Sequence, residues 1–294
     1  MALIEYTLFG KLNKVNQAID RLQGLEQEGD PYWLAFSGGK DSVVIKRLAE
    51  MAGVRFEAHY SVTGVDPPEL VRFIKSMSDV YFDIPHDSDG KPITMWNLIE
   101  KKLLPPTRVM RYCCDKLKES SGIGRLTITG VRWAESTNRQ NNKALINIQN
   151  SNKAKRIMLH NDNTESRRMV ERCYQASKTL INPIIDWTDD EVWEFIRTEK
   201  IPYCQLYDDG KTRLGCIGCP MSGHAREKDF IKYPKYLIAY HSAFKRMIQE
   251  RERKGKKTFW KNSEQVMDWW LDDRVDKIAD GQIAMELEEL ENEY

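Results

Sequence analysis

The residues best equipped for chemistry in this 294-residue chain fall into two groups. One is the run Ser37-Gly38-Gly39-Lys40-Asp41-Ser42, which joins two glycines to two hydroxyls, an ammonium and a carboxylate. The other is a set of thiols, the adjacent Cys113 and Cys114 and the turn Cys216-Ile217-Gly218-Cys219-Pro220. Paired glycines let a backbone approach a ligand with no side chain in the way. Serine hydroxyls and the free N–H groups of a helix's first turn suit an anion, so the expected guest of the first group is a phosphate. The run lacks both the Gly-Lys-Ser/Thr ending of a Walker loop and the Gly-x-Gly-x-x-Gly of a dinucleotide fold. A Cys-x-x-Cys beside glycine and proline is a metal-binding turn, because the glycines free backbone N–H groups to face the sulfurs. Four thiols suit zinc or an iron–sulfur cluster equally by count, and spacing alone leaves that choice open.

Both groups need elements to hold them. Trp33-Leu34-Ala35-Phe36 is of strand type, and apolar Val43, Val44, Ile45 and Leu48 continue as a helix, so the phosphate loop is a strand, a tight turn and a helix N-terminus. Further strands are expected at residues 56–62, 80–85 and 125–131, with a short apolar segment at 181–187. Helices are expected from Pro68 and over 94–104. Strands alternating with helices predict an α/β fold, a doubly wound and mainly parallel sheet whose ligands bind beyond the carboxyl ends of its strands. The loops after Phe36, Val62 and Val131 are expected to converge there. Leu12, Val15, Ile19, Leu22 and Leu25 predict an amphipathic helix over 8–25. The expected organisation is an N-terminal helix (1–29), a core domain (30–224) with an insertion at 138–178, and a helical C-terminal appendage (225–294).

Within the insertion, residues 143–148 and 156–160 predict a hairpin turning through Gln149-Asn150-Ser151-Asn152. Nine Lys or Arg stand against three acids between Arg139 and Lys178. That run reads equally as a solvated surface or as a flap contacting phosphate. A second basic stretch runs from Lys245 to Lys261, and an acidic one from Glu286 to Glu293. The pair Trp269-Trp270 is expected in a core rather than as a base-stacking platform. Forty-five basic against forty-four acidic residues remove overall charge as an argument for nucleic acid or membrane binding. No apolar run approaches the ~20 residues a membrane helix needs, so a cytoplasmic protein without a membrane partner is expected. In a reducing compartment six cysteines point to a metal rather than to disulfides.

Taken with the phosphate loop, several motifs resemble the phosphoadenosine phosphosulfate (PAPS) reductase family. This family includes the adenylyl sulfate reductases and sits in the adenine nucleotide α-hydrolase, or PP-loop ATP pyrophosphatase, superfamily. Thr63-Gly64 with Pro68-Glu69 is similar to the family's second loop, with Val62 where an acidic residue is usual. Thr129-Gly130-Val131-Arg132, Glu135-Ser136 and Arg139 resemble the arginine motif that grips the nucleotide's phosphate and sugar. The longest match runs from Asn182-Pro183-Ile184-Ile185-Asp186-Trp187 through Trp193, Ile201-Pro202-Tyr203 and Leu206-Tyr207-Asp208 to Cys219.

The resemblance implies nucleotide contacts from Ser37, Gly38, Gly39, Lys40, Asp41, Ser42, Thr63, Gly64, Gly130, Arg132 and Arg139. It also implies a [4Fe-4S] cluster on Cys113, Cys114, Cys216 and Cys219, which tips the choice from zinc to iron–sulfur. Lys40, Asp41 and Cys204 are the candidate catalytic residues, Cys204 as a spare thiol able to replace a cluster ligand or carry a persulfide. Cys173 is the weakest thiol candidate.

Two departures from the family pattern shape the functional expectation. The reductases attack sulfur with a cysteine near their C-terminus, whereas no cysteine occurs in the 75 residues after Cys219. Their phosphate loop is usually degraded from the Ser-Gly-Gly-x-Asp-Ser form, which is intact here and fits ATP with Mg²⁺. The leading expectation is ATP-dependent sulfur transfer releasing AMP and pyrophosphate, in the manner of the superfamily's thiolation enzymes. Its partners would be a nucleic-acid acceptor and a thiol or sulfur-donor protein. The alternatives are a true sulfonucleotide reductase, with its thiol from a partner or Cys204, and a non-catalytic nucleotide-sensing regulatory or defence module.

Overall fold

The computed structural model describes residues 3–7, 10–149, 156–161, 163–173, 178–258 and 260–272. The predicted turn at 150–152 and the acidic run at 286–293 lie outside them, as does the side chain of Cys173. In chain order the elements begin with strands β1 (Ile4–Thr7) and β2 (Gly10–Asn13), helix α1 (Lys14–Leu25), β3 (Tyr32–Ala35), α2 (Lys40–Ala52), β4 (Phe56–Ser61), α3 (Pro68–Lys75) and β5 (Val80–Asp83). They continue through α4 (Met95–Lys102), α5 (Tyr112–Leu117), β6 (Leu126–Ile128), α6 (Thr137–Asn142), β7 (Ile146–Gln149), β8 (Arg156–Leu159), α7 (Thr164–Cys173) and β9 (Lys178–Ile181). The remaining helices are α8 (Asp189–Thr198), α9 (Ala225–Lys232), α10 (Pro234–Arg253) and α11 (Ser263–Leu271). Contacts divide the chain into two compact units, one of residues 1–61, 68–83 and 120–214, the other of 62–67, 84–119 and 215–294.

The first unit is built on a sheet ordered β5-β4-β3-β6-β9-β7-β8. The strands from β5 to β9 are parallel, while β7 runs antiparallel to β9 and β8 antiparallel to β7. The predicted mainly parallel α/β sheet is therefore present. Strand order reverses at β3, whose neighbours are β4 and β6, and that reversal makes the end of β3 a topological switch point. Leu34, Ala58 and Ile128 of the sheet, Val44, Ile45 and Leu48 of α2, and Leu22 and Leu25 of α1 are all sealed from solvent. Burial of this apolar stripe, rather than helix propensity, fixes α2 behind the loop.

One expectation changes. The amphipathic helix begins at Lys14, not at residue 8, because the Asn13 side chain caps it by accepting from the N–H groups of Val15 and Asn16 at 3.1 and 3.2 Å. Ahead of it β1 and β2 form an antiparallel hairpin. The short apolar segment at 181–187 begins with the last residue of the strand Lys178–Ile181 and continues as turns over 183–186. Within the insertion the two predicted strands pair antiparallel as expected. Its hairpin extends the sheet beyond β9, and Ile146 and Ile148 of β7 are buried.

The second unit is helical among its described residues. Its α10 packs along α4 and α11, and Trp270 of α11 is buried as expected. The Trp270 ring lies 4.8 Å from that of Tyr240 and 5.4 Å from that of Phe244, and its Nε1 donates to the Pro106 carbonyl at 2.6 Å. Arg251, from the basic stretch, is also buried. Its guanidinium donates to the carbonyls of Leu103 and Lys257 at 2.8 and 2.5 Å, so that charge is spent inside the fold. Among the described residues no helix is long and apolar enough to cross a membrane.

Candidate functional site

In the first unit the phosphate loop leaves β3 and enters α2 directly. Gly38 has φ +72°, a left-handed conformation, and a Cβ there would stand 2.7 Å from side-chain atoms of both Leu70 and Ile74. A Gly38→Ala chain is therefore expected to lose at least about 1–2 kcal/mol from backbone strain alone, read by urea unfolding. It should also weaken phosphate binding, because the loop must shift. Gly39 caps α2. The Ser42 hydroxyl donates to its carbonyl at 2.8 Å, and its N–H reaches the Ser37 hydroxyl at 3.4 Å. Ser42 is buried in this small network, whereas Ser37 is exposed. Gly130 supplies the second close approach. A Cβ on it would meet the Asp41 Cβ at 2.9 Å and the Asp41 carbonyl carbon at 3.0 Å, so glycine there lets the loop after β6 lie against the first turn of α2.

Arg132 is buried and fully engaged. Its Nε donates to Asp41 at 2.7 Å, one terminal nitrogen donates to the Trp187 carbonyl at 3.1 Å, and the other pairs with Asp189. Lys40, also buried, places Nζ 3.8 Å from Asp41 and 3.6 Å from Asp189. The structure thus gives Arg132 the work of holding Asp41 and Asp189 in place, with no face of its guanidinium on solvent. The cations nearer the surface are Arg139 and Arg213. Arg139 pairs with Glu135. Burial lowers the Arg139 pKa, the charges of Glu135 and Asp41 oppose this, and the like charge of neighbouring Arg213 adds to the lowering. Such a pair favours an anion.

The long motif after β9 is the scaffold for this cluster. Asn182 is buried. It accepts from the Thr129 hydroxyl and donates to the Ala144 carbonyl at 2.6 Å. Arg21 of α1 donates to the Pro183 carbonyl at 2.7 Å and grips Asp186 with two bonds of 2.9 and 3.0 Å. Thr188 and Glu191 form a capping box that starts α8 and sets Asp189 at its first position. Beyond α8, the Tyr207 hydroxyl accepts from the Lys40 N–H at 2.8 Å. Cys204 is completely buried near Tyr207, which leaves its thiol no exposed face.

The second unit holds Thr63, Gly64 and the four cysteines. The Thr63 hydroxyl donates to Asp66 at 2.8 Å, and the Val65 carbonyl accepts from the Ile217 N–H at 2.8 Å, which ties this loop to the Cys-x-x-Cys turn. Gly64, with φ +74°, permits that turn of the chain. Cys113 and Cys114 open α5 and are close enough to share a hydrogen bond, and Cys113 also feels the charges of Cys216 and Cys219. Cys113, with Arg111 assisting, holds Cys114 below its usual pKa, whereas burial raises Cys216 to about 12. Lys118 donates to Cys216 and Arg111 to Cys114. Cationic donors aimed at four thiols suit an anionic all-sulfur group in chemistry. Among the described residues, however, no set of three or more His, Cys, Asp or Glu is closed up around a metal position.

The model of the phosphoadenosine phosphosulfate reductase domain matches residues 31–222, about two thirds of the sequence. The chain belongs to that family. An uncharacterized protein of Methanocaldococcus jannaschii is 28% identical over 224 residues, 72% of this chain and 47% of that protein. The chain thus spans about half the length of that relative. An adenosine 5′-phosphosulfate reductase of Halalkalibacterium halodurans is 23% identical over 71% of this chain and 85% of its own. Among solved structures, the phosphoadenylyl-sulfate reductase of Candida auris in its phosphate complex shares 13% identity at a TM-score of 0.42, covering 72% of this chain and 97% of that one.

Within the family pattern, sequence reasoning overlooked several residues that the geometry brings forward: Asp66, Lys118, Asp189, Tyr207 and Arg213. Lys118 lies four residues after Cys114, and Asp189 and Tyr207 sit in the long motif, so their positions were visible and their partners were not. Nothing in the spacing marks Arg213.

Proposed function

We propose that the chain is an ATP-using sulfur-transfer enzyme of this family. On this reading it binds ATP with Mg²⁺ at Ser37–Ser42 and holds a [4Fe-4S] cluster at Cys113, Cys114, Cys216 and Cys219. The observation that carries the reading is the complete Ser-Gly-Gly-Lys-Asp-Ser run at the switch point beyond β3, opening into the first turn of α2. Two hydroxyls, an ammonium and a helix N-terminus suit a departing pyrophosphate. An acceptor oxygen attacks the α-phosphorus, the bond to the β-phosphoryl oxygen breaks, and pyrophosphate leaves. A sulfur nucleophile then attacks the adenylylated carbon, and the carbon–oxygen bond breaks so that AMP carries the oxygen away.

Lys40 faces the leaving group, Arg132 fixes Asp41, and Arg139 with Arg213 serves the α-phosphate side. Gly130 acts by allowing the close approach to Asp41, and Thr63 and Gly64 keep their nucleotide role by motif. Mg²⁺ supplies further neutralisation of the pyrophosphate charge. An iron–sulfur cluster supplies redox-active iron and sulfide for sulfur handling. Cys204 would serve as a sulfur carrier only if its buried site opens. A polyanionic acceptor such as RNA or DNA and a sulfur-donor protein complete the scheme.

The names of the matched relatives favour one other reading, a true sulfonucleotide reductase. The test is a competition on anaerobically purified chain, with labelled ATP and Mg²⁺ against adenylyl sulfate and its 3′-phosphorylated form. ATP is expected to win, with AMP and pyrophosphate accumulating once an acceptor is supplied. Preferred binding of a sulfonucleotide with release of sulfite would transfer the reading to the reductase. Iron and acid-labile sulfide are expected in equal amounts in the native chain and are expected to be lost from Cys216→Ser. Zinc in their place would remove the cluster from the scheme.

A further inference from the structure

Tyr207 follows α8 and reaches back to the first turn of α2. Its hydroxyl accepts from the Lys40 N–H at 2.8 Å and lies 3.4 Å from where a Cβ on Gly39 would stand. Lys40 Nζ is 6.0 Å from the centre of its ring. The ring is held in place by edge contacts with Trp193 at 5.1 Å and Tyr203 at 6.4 Å, and the Tyr203 hydroxyl donates to Asp208 at 3.0 Å. The phenol is therefore fixed against the phosphate loop by packing rather than reaching it by chance.

A phenolic oxygen both accepts and donates. The Lys40 N–H fills its acceptor side, and no acceptor for its own proton is present among the described residues. Burial raises the Tyr207 pKa, the Lys40 N–H opposes this, and the Asp41 charge adds to the rise, so the hydroxyl keeps its proton at neutral pH. A donor held beside two glycines and an exposed serine hydroxyl matches an oxyanion supplied from outside the chain.

We propose that Tyr207 is a phosphate-binding residue of this loop, donating its hydroxyl proton to a non-bridging oxygen of the bound pyrophosphoryl group while still accepting from the Lys40 N–H. This rests on the nucleotide reading above and extends it. Tyr207 becomes the group through which the positive end of α2 is passed on to the ligand. The opposite arrangement, in which the hydroxyl merely stands where a phosphate oxygen must go, predicts that removing it would tighten binding.

The test is calorimetric titration of the full chain and of Tyr207→Phe with Mg²⁺-ATP, inorganic pyrophosphate and adenosine. The affinities for ATP and pyrophosphate are expected to fall about 10-fold, equivalent to about 1.4 kcal/mol. Adenosine binding and the thermal midpoint are expected to stay as in the native chain. Unchanged or tighter pyrophosphate binding by Tyr207→Phe overturns the role of Tyr207 and leaves the loop reading standing. An equal loss for all three ligands with a lowered midpoint shows a structural effect and also overturns it. A native chain that binds neither ATP nor pyrophosphate overturns the phosphate-loop reading itself, and Tyr207 with it.

Discussion

An Arg132→Met chain is expected to lose about 3 kcal/mol of stability and to bind no nucleotide. The guanidinium serves Asp41, Asp189 and the Trp187 carbonyl at once, and it is sealed from solvent. Methionine fills much of the volume but leaves Asp41 facing Gly130 and α2 with only the more distant Lys40 ammonium, 3.8 Å away, as a buried countercharge. Removing one member of a buried pair is the costly kind of change, because the remaining charge keeps its desolvation penalty without compensation. The figure is at the low end for such pairs because the Asp189 side chain is 67% exposed and water screens that end. Urea unfolding followed by tryptophan fluorescence reads the stability loss, and ATP titration under native conditions reads the loop. Arg132→Lys should rescue little, since one ammonium cannot reproduce the three-way fork. A Met variant with native stability and ATP binding would show that Asp41 needs no partner and would remove this cluster from the site.

Replacing Trp270 by Ala should act on the other unit with comparable force. Truncating a buried tryptophan costs about 3–5 kcal/mol through lost transfer free energy and the cavity left behind. Here it also removes the donor to the Pro106 carbonyl and the ring over which the Arg226 guanidinium lies at 5.5 Å. The effect should extend to the cysteines. Gly218 has φ +73°, and a Cβ on it would stand 2.7 Å from Phe230 and 3.2 Å from Trp270, so the Cys216–Cys219 turn rests directly on those two rings. Alkylation of Cys216, expected to be slow in the native chain because the residue is partly buried and its pKa raised, should accelerate in Trp270→Ala. Trp269→Ala is the control. That ring is only partly buried, packing on Trp260 at 5.1 Å, and its loss should move neither the unfolding midpoint nor the alkylation rate to the same degree. Unchanged Cys216 reactivity in Trp270→Ala would mean that the turn is held by its own backbone.

Local signals carried much of this molecule. The apolar run of β3, the glycine pair and the apolar stripe of α2 placed the strand, turn and helix around Ser37–Ser42 to within a residue, because each element's burial pattern is written in consecutive residues. The α1 start was misplaced because a short hairpin ahead of it shares residues with the helical period, and only the Asn13 cap decides where that period takes hold. The insertion's hairpin was legible, but its place in the sheet was not. Charge content describes what a segment exposes, whereas the place of β7 beside β9 is set by an edge that the sequence does not mark.

For the site, the sequence by itself determined which residues have the chemistry: the serines, glycines and Lys40 of the loop, the four cysteines, and the arginine motif. Their types and order carry that information, and the family match over residues 31–222 follows from the same letters. The tertiary structure decided their roles. It turned Arg132 inward onto Asp41 and Asp189, closed Cys204 away from solvent, and brought Tyr207 across 167 positions of sequence to the Lys40 N–H. Such pairings depend on how α8 and the segment after it pack against α2. A residue's charge is fixed by its type, but which opposite charge or orphan N–H it meets is fixed only when distant segments are folded together.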